Sequence, residues 1–127
     1  MQNTSSLKAI YVLSQTSYDR IYSQTERSTL SKLVDTSAGV HTAEHIKQNL
    51  HLLKDIDILL TGWNGPVIDQ EFLDAAPNLK AVFYGAGSIR PVVTPAFWKS
   101  EIPITCAASV NAIPVSEYTL SQILFCL

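Results

Sequence analysis

The chain has 127 residues, 46% of them hydrophobic and 16% charged, with a formal net charge of -2; that suits one domain, and the apolar fraction is ample for a core, which excludes intrinsic disorder. Nine basic residues against 11 acidic ones leave no footprint for gripping a nucleic-acid backbone, and no apolar run approaches the ~20 residues that span a bilayer, so neither nucleic acid nor membrane is expected as a partner. The polar opening, residues 1–6, argues against a signal peptide, and two cysteines, Cys106 and Cys126, are too few for a disulfide framework, so a reduced, cytoplasmic setting is expected.

Strand-like and helix-like pieces alternate along the chain. Residues 9–13 (AIYVL) are β-branched and aromatic and predict a buried strand. Tyr18, Ile21 and Tyr22 repeat at helical spacing, predicting a helix over 18–27, with a short second strand near 30–34. Thr42 is suited to cap a helix over 42–53, whose Ile46, Leu50 and Leu53 share one face. Residues 57–61 (DILLT) read as a strand broken by the turn Gly62-Trp63-Asn64-Gly65-Pro66. A short helix over 69–76 must stop before Pro77, and residues 79–84 form a strand that opens into Gly85-Ala86-Gly87-Ser88. Residues 102–105 read as a short strand near a sheet edge, since Pro103 lacks an N–H. Pro114 suits the start of a last helix, with Glu117 in its first turn. The alternation predicts an α/β fold, a mostly parallel sheet covered on both faces, with ligands taken at the carboxyl ends of the strands.

The last five residues, ILFCL, are apolar on every side and stop without a cap. A helix of that kind needs protein all round it, so the natural chain is expected to continue.

The run Gly85-Ala86-Gly87-Ser88-Ile89-Arg90 approaches the dinucleotide fingerprint G-x-G-x-x-G. Arg90 stands where the third glycine should be, and Pro91 pushes Arg90 out of helical dihedrals. No helix is therefore expected to aim its amides at a pyrophosphate. Two readings of the turn stay open: a nest of backbone N–H groups for a carboxylate, or a tight turn with no ligand. His41, Glu44 and His45 match H-x-x-E-H, but the face is polar and outward, so no metal site is expected. Ser88 is outside any nucleophile elbow, and Cys106 reads as a small buried thiol. Trp63 either lines a pocket or packs its loop, and Asn111 either caps the last helix or faces a ligand.

The segments Leu59-Leu60-Thr61-Gly62-Trp63, Phe72-Leu73-Asp74-Ala75-Ala76-Pro77-Asn78-Leu79-Lys80 and Gly85-Ala86-Gly87, together with the run from Ile104 through Asn111 and Glu117 to Leu120, resemble the substrate-binding domain of the D-isomer-specific 2-hydroxyacid dehydrogenases. The resemblance extends from about Asp57 to Leu127; Ile89 and Arg90 depart from the family's pattern. It implies a flavodoxin-like, doubly wound domain over 1–110. Residues 111–127 would then start an interdomain helix leading to a nucleotide-binding domain that holds NAD or NADP. It further implies that the amides of Ala86 and Gly87 hold the carboxylate of a small 2-oxo or 2-hydroxy acid, with Ser88, Asn111 and Trp63 beside it. No catalytic residue would lie in this chain: the arginine, the acidic residue and the histidine would come from beyond Leu127, the fragment alone would be inactive, and the full-length protein would be a homodimer. Two other functions fit the same residues: a free-standing module that senses a small anion at the glycine turn, and a dimerisation domain that uses its last helix.

Overall fold

The computed structural model describes residues 6–127, so the polar opening read above lies, except for Ser6, outside the described residues. The elements are β1 (Ala9–Val12), α1 (Gln15–Ile21), α2 (Gln24–Leu33), β2 (Val40–His41), α3 (Ala43–Gln48), a 3₁₀ turn (Leu50–Leu53), β3 (Ile58–Thr61), α4 (Gln70–Ala75), β4 (Ala81–Tyr84), α5 (Pro95–Lys99), β5 (Ile104–Cys106) and α6 (Ala108–Cys126). The five strands pair in parallel in the order β2-β1-β3-β4-β5. That is the doubly wound, flavodoxin-like order, and the α/β class expected from the sequence is the class observed.

Side-chain alternation divides the core between the two faces of the sheet. Ile10, Val12, Leu59 and Val82 point to the face covered by α3, the 3₁₀ turn, α4 and α5, where they meet Ile46, Leu53, Phe72 and Phe97. Ala9, Tyr11, Ile58 and Leu60 point to the other face, under α1 and α2, with Tyr18, Tyr22 and Leu30 over them. The rings of Tyr18 and Tyr22 both meet Tyr11 edge-on at 5.0 Å between centroids, a favoured aromatic geometry.

Four short helices begin the same way. Ser14, Thr42, Asp69 and Thr94 each accept a hydrogen bond from the backbone N–H three residues on, at Ser17, His45, Phe72 and Phe97, which satisfies one of the donors that a helix start leaves open. Pro95 sits at the first helical position of α5, where its missing N–H is not needed. β5 lies at the sheet edge as Pro103 required, and Pro103 contributes only its C=O, which accepts from Val82 N–H at 3.0 Å.

Four local expectations are corrected. Residues 30–33 are helical and belong to α2; the second strand is Val40–His41, after a turn in which Gly39 has φ of 77°. The expected helix over 18–27 is two helices that part at Tyr22 and Ser23, because burying Tyr22 under the sheet turns the chain there. The helix from Thr42 breaks at Asn49, whose side chain donates back to the His45 carbonyl at 3.0 Å, a local bond that competes with the helix. α6 begins at Ala108, so Pro114 lies inside it and not at its start.

The amino edge of the sheet is held by Asp57. Its carboxylate accepts from the Lys8 backbone N–H at 2.9 Å and pairs with Lys80 Nζ at 2.7 Å, while its own N–H donates to the Lys8 carbonyl and its carbonyl accepts from Lys80 N–H. One residue thereby ties the starts of β1, β3 and β4. Burial raises the Asp57 pKa, but the Lys80 bond, the Lys8 N–H and the two ammonium charges outweigh it and leave the carboxyl below its ordinary value. A carboxylate with a lower pKa folded than unfolded contributes stability above the unfolded value, and that stability is lost as pH falls through the folded one. Lys80 is mostly exposed, so solvent screens its share. Replacing Asp57 by Asn should therefore cost about 1 kcal/mol at pH 7. In denaturant titrations the gap to the unsubstituted chain should close below about pH 4.

Candidate functional site

Three loops leave the carboxyl edge of the sheet side by side: Leu13-Ser14 after β1, residues 62–66 after β3 and residues 85–88 after β4. Thr61, fully buried at the end of β3, fastens them. Its Oγ1 donates to the Val12 carbonyl at 2.7 Å. Its own carbonyl accepts from the Gly85 N–H at 2.9 Å and from the Tyr22 hydroxyl at 3.0 Å. Burial and the neighbouring Tyr11 push the Tyr22 phenol well above its ordinary range, so Tyr22 stays a neutral donor here. The β3 loop turns tightly: Asn64 has φ of 61°, Gly65 N–H donates to the Gly62 carbonyl at 3.1 Å, and Asn64 Nδ2 reaches Ser14 Oγ at 3.4 Å.

The β4 loop holds most of the residues singled out in the sequence. Ala86 is buried, Gly87 half-buried and Ser88 exposed. The Ala86 carbonyl accepts from Ala107 N–H at 2.9 Å, which fastens the turn to the root of α6. Among the described residues, no protein acceptor takes the backbone N–H groups of Ala86, Gly87 or Ser88. Asn111 stands against this turn. A Cβ built on Gly87 would lie 3.3 Å from Asn111 Nδ2, so the absence of a side chain at Gly87 lets the amide come close to the backbone. Asn111 is not the cap of α6; its N–H already donates to the Ala107 carbonyl at 2.8 Å within the helix. Three backbone amides without a protein acceptor thus lie in one turn at a strand's carboxyl end, with the Asn111 side-chain amide beside Gly87. With backbone donors and no nearby carboxylate in that turn, the arrangement suits a small anion.

Trp63 stands at the same edge, one strand over, with its side chain 45% exposed. Among the described residues it enters no aromatic pair or hydrogen bond. Cys106 ends β5 exposed, against the expected buried thiol, because β5 is an edge strand with no helix over that end. The segment after β4 runs from Gly85 to Thr94 without a helix, as Arg90 and Pro91 required. The glycine turn therefore offers no helix start to take a pyrophosphate.

Two features lie apart from this turn. The imidazoles of His41 and His45 stack at 5.1 Å, and His41 Nε2 bonds the Ala38 carbonyl at 2.8 Å, which occupies the nitrogen as a donor. Among the described residues no three His, Cys, Asp or Glu side chains gather as metal ligands. A cleft of about 400 Å³ opens beside Gly65 and Pro66, but Glu44, Asp69 and Glu71 stand on its walls against Lys47. That excess of negative charge is unsuited to a carboxylate ligand. No helix is long and apolar enough to cross a membrane among the described residues.

Sequence reading missed Thr61, Tyr22 and Ser14 as parts of the site frame. Tyr22 reads as one apolar position of an amphipathic helix, and nothing local announces that its hydroxyl reaches a carbonyl 39 residues away. The adjacency of Gly87 and Asn111 is likewise a product of the β4–β5 pairing rather than of local sequence.

No family model matches the sequence, and no curated protein matches it either. Among solved structures, the chain is similar to one described under the identification of the pyruvate reductase of Chlamydomonas reinhardtii, with a TM-score of 0.63 and 11% identity over 94% of this chain. The match covers 34% of that chain, so the present sequence spans about a third of its length. At that identity the likeness is one of fold.

The frame can be tested at Gly65. A Cβ there would collide with Thr61 Oγ1 and come 3.0 Å from the Gly62 carbonyl oxygen, and neither is the free end of a flexible side chain. Gly65→Ala should destabilise the domain by about 2 kcal/mol, as overpacking typically does, and thermal melts of the two proteins measure it.

Proposed function

We propose that this chain is the substrate-binding domain of an oxidoreductase that interconverts a short 2-oxo acid and its D-2-hydroxy acid. The observation that carries the reading is the set of unpaired N–H groups at Ala86, Gly87 and Ser88, with the Asn111 amide beside them at the carboxyl end of β4. The fold likeness to a chain described as a pyruvate reductase and the sequence motifs named above support the same class.

In this reading the amides of Ala86 and Gly87 bind the carboxylate as charge-assisted donors. Asn111 donates its Nδ2 hydrogens to the carboxylate or to the adjacent carbonyl oxygen, and Ser88 and Trp63 border the rest of the molecule. Fixing the carboxylate at two or more points orients the neighbouring carbonyl carbon, which is the part of catalysis that positioning supplies. Trp63 is an apolar wall that can exclude water from that carbon once the site is closed. In this reading the glycine turn holds the substrate, and NAD or NADP and the proton-transferring group come from a separate domain. The chain by itself is expected to bind and not to turn over.

Titrating the chain with pyruvate while following backbone amide NMR shifts tests this. Saturable shifts should centre on residues 86–88 and the Asn111 side chain. Gly87→Ala, which crowds Asn111, and Asn111→Ala should each weaken binding about tenfold, the loss of roughly one good hydrogen bond. Shifts scattered over the surface, acetate binding as tightly as pyruvate, or turnover by the chain alone would overturn the assignment.

A further inference from the structure

Two glycines open the loops at the carboxyl edge: Gly62 follows β3 and Gly85 follows β4. Neither has the left-handed backbone that favours glycine; among the described residues Gly39 is the glycine that does. What excludes a side chain from both is one residue. A Cβ on Gly85 would collide with Ile21 Cγ2, and a Cβ on Gly62 would collide with Ile21 Cδ1. Ile21 is the last residue of α1 and is half-buried. Its two branches therefore stand on the first residue of the Trp63 loop and on the first residue of the glycine turn.

Ile21 is itself held in place on both sides. The next residue, Tyr22, is buried edge-on to Tyr11, and its hydroxyl donates to the Thr61 carbonyl that also accepts the Gly85 N–H. Before Ile21, the last turn of α1 is braced from α2. Arg27 pairs with Asp19 at 2.6 Å and lies over the Tyr18 ring, 3.8 Å from its centroid. The end of α1 is thus a fixed body, and the loop starts rest against it. Residues 86–88 are placed differently, since their N–H groups have no protein acceptor among the described residues. Their direction follows from how Gly85 and Ala86 are held.

The geometry points to Ile21 as a positioning residue for the substrate. Pressed between Gly62 and Gly85, it spaces the starts of the two loops and sets the direction in which the amides of residues 86–88 face. This rests on the reading of that turn as the carboxylate site. Ile21 does not touch the ligand and acts through Gly85. Direction matters because a hydrogen bond weakens steeply as its donor turns away from the acceptor, and a carboxylate held at two points needs both donors aimed at once. A packed methyl is a suitable device for this, since close-packed interiors transmit small displacements instead of absorbing them.

Backbone amide NMR of the full chain, alone and titrated with pyruvate, tests this. Ile21→Ala should move the amide signals of residues 85–88 before any ligand is added and weaken pyruvate binding about tenfold. If it melts too early, Ile21→Leu takes its place, since it conserves volume but has no methyl on Cβ to stand on Gly85. Leu30→Ala is the control: Leu30 packs half-buried on the same core from α2 and is not among the atoms nearest either glycine. It should lower the melting temperature yet leave the signals of residues 86–88 and the pyruvate affinity unchanged. Gly85→Ala alone should weaken binding about tenfold, because its methyl meets Ile21 Cγ2. The double variant Gly85→Ala/Ile21→Ala puts that methyl where Cγ2 stood and should bind within about threefold of the unsubstituted chain. Unmoved signals and affinity in Ile21→Ala would overturn the proposal, as would a double variant that binds no better than the weaker single one, or equal weakening by Leu30→Ala. An unsubstituted chain that does not bind pyruvate would overturn the carboxylate reading and this role with it; normal binding with any of the other failures overturns the role alone.

Discussion

The carboxyl edge of this domain depends on one buried residue, Thr61. Its hydroxyl donates to β1, its carbonyl takes the first amide of the turn after β4, and the same carbonyl takes the Tyr22 hydroxyl from the end of α1. A valine of equal size at this position would leave the Val12 carbonyl without that donor in a dry interior, where an unsatisfied group costs about 1–3 kcal/mol. The carbonyl contacts would survive, but the registry between β1 and β3 at this edge would lose its side-chain lock. Everything proposed to touch a ligand hangs from this point: the loop of Trp63 starts on the next residue, and the Gly85–Ser88 turn starts from the amide that Thr61 accepts.

That arrangement bears on how the proposed carboxylate site works without a charged side chain. Backbone N–H groups are dipoles, and dipoles held in place by a rigid frame need no charged side chain to favour a carboxylate. The frame supplies the rigidity from two directions, Thr61 at the start of the turn and Ala107 on the Ala86 carbonyl. Arg90 and Pro91 then carry the chain away without starting a helix, so the proposed carboxylate site rests on the turn's amides and not on a helix start. The cleft beside Gly65 has acidic walls, the wrong sign for this chemistry.

Much of the fold was legible because the strands are buried on both faces and read as short apolar runs, AIYV, ILLT and AVFY. The helix caps were legible too, since Thr42 and Asp69 are cap residues followed by an apolar position that packs. What misled was apolar residues whose role is set by tertiary contact. Leu30 and Leu33 have strand-like neighbours but turn toward the sheet from a helix; Leu30 packs on the second core and Leu33 stays exposed. Pro114 has the look of a helix start, yet the root of α6 is fastened earlier, through Ala107 and Asn111. For the site, the glycine turn was visible and its open amides were inferred. The meeting of Gly87 with Asn111 comes from the pairing of β4 with β5, which no local pattern encodes.

Pro114 then acquires a role that its position as a presumed helix start concealed. It has no N–H, so the Val110 carbonyl one turn earlier lacks its helical partner, and bending is easiest there. Asn111 lies on the near side of that weak point and the apolar half of α6 on the far side. The helix can therefore change direction toward whatever covers its apolar surface while its first turn stays bonded to Ala86 and pressed against Gly87. The turn at Gly87 and the distal half of α6 are thereby separated by one residue that cannot donate.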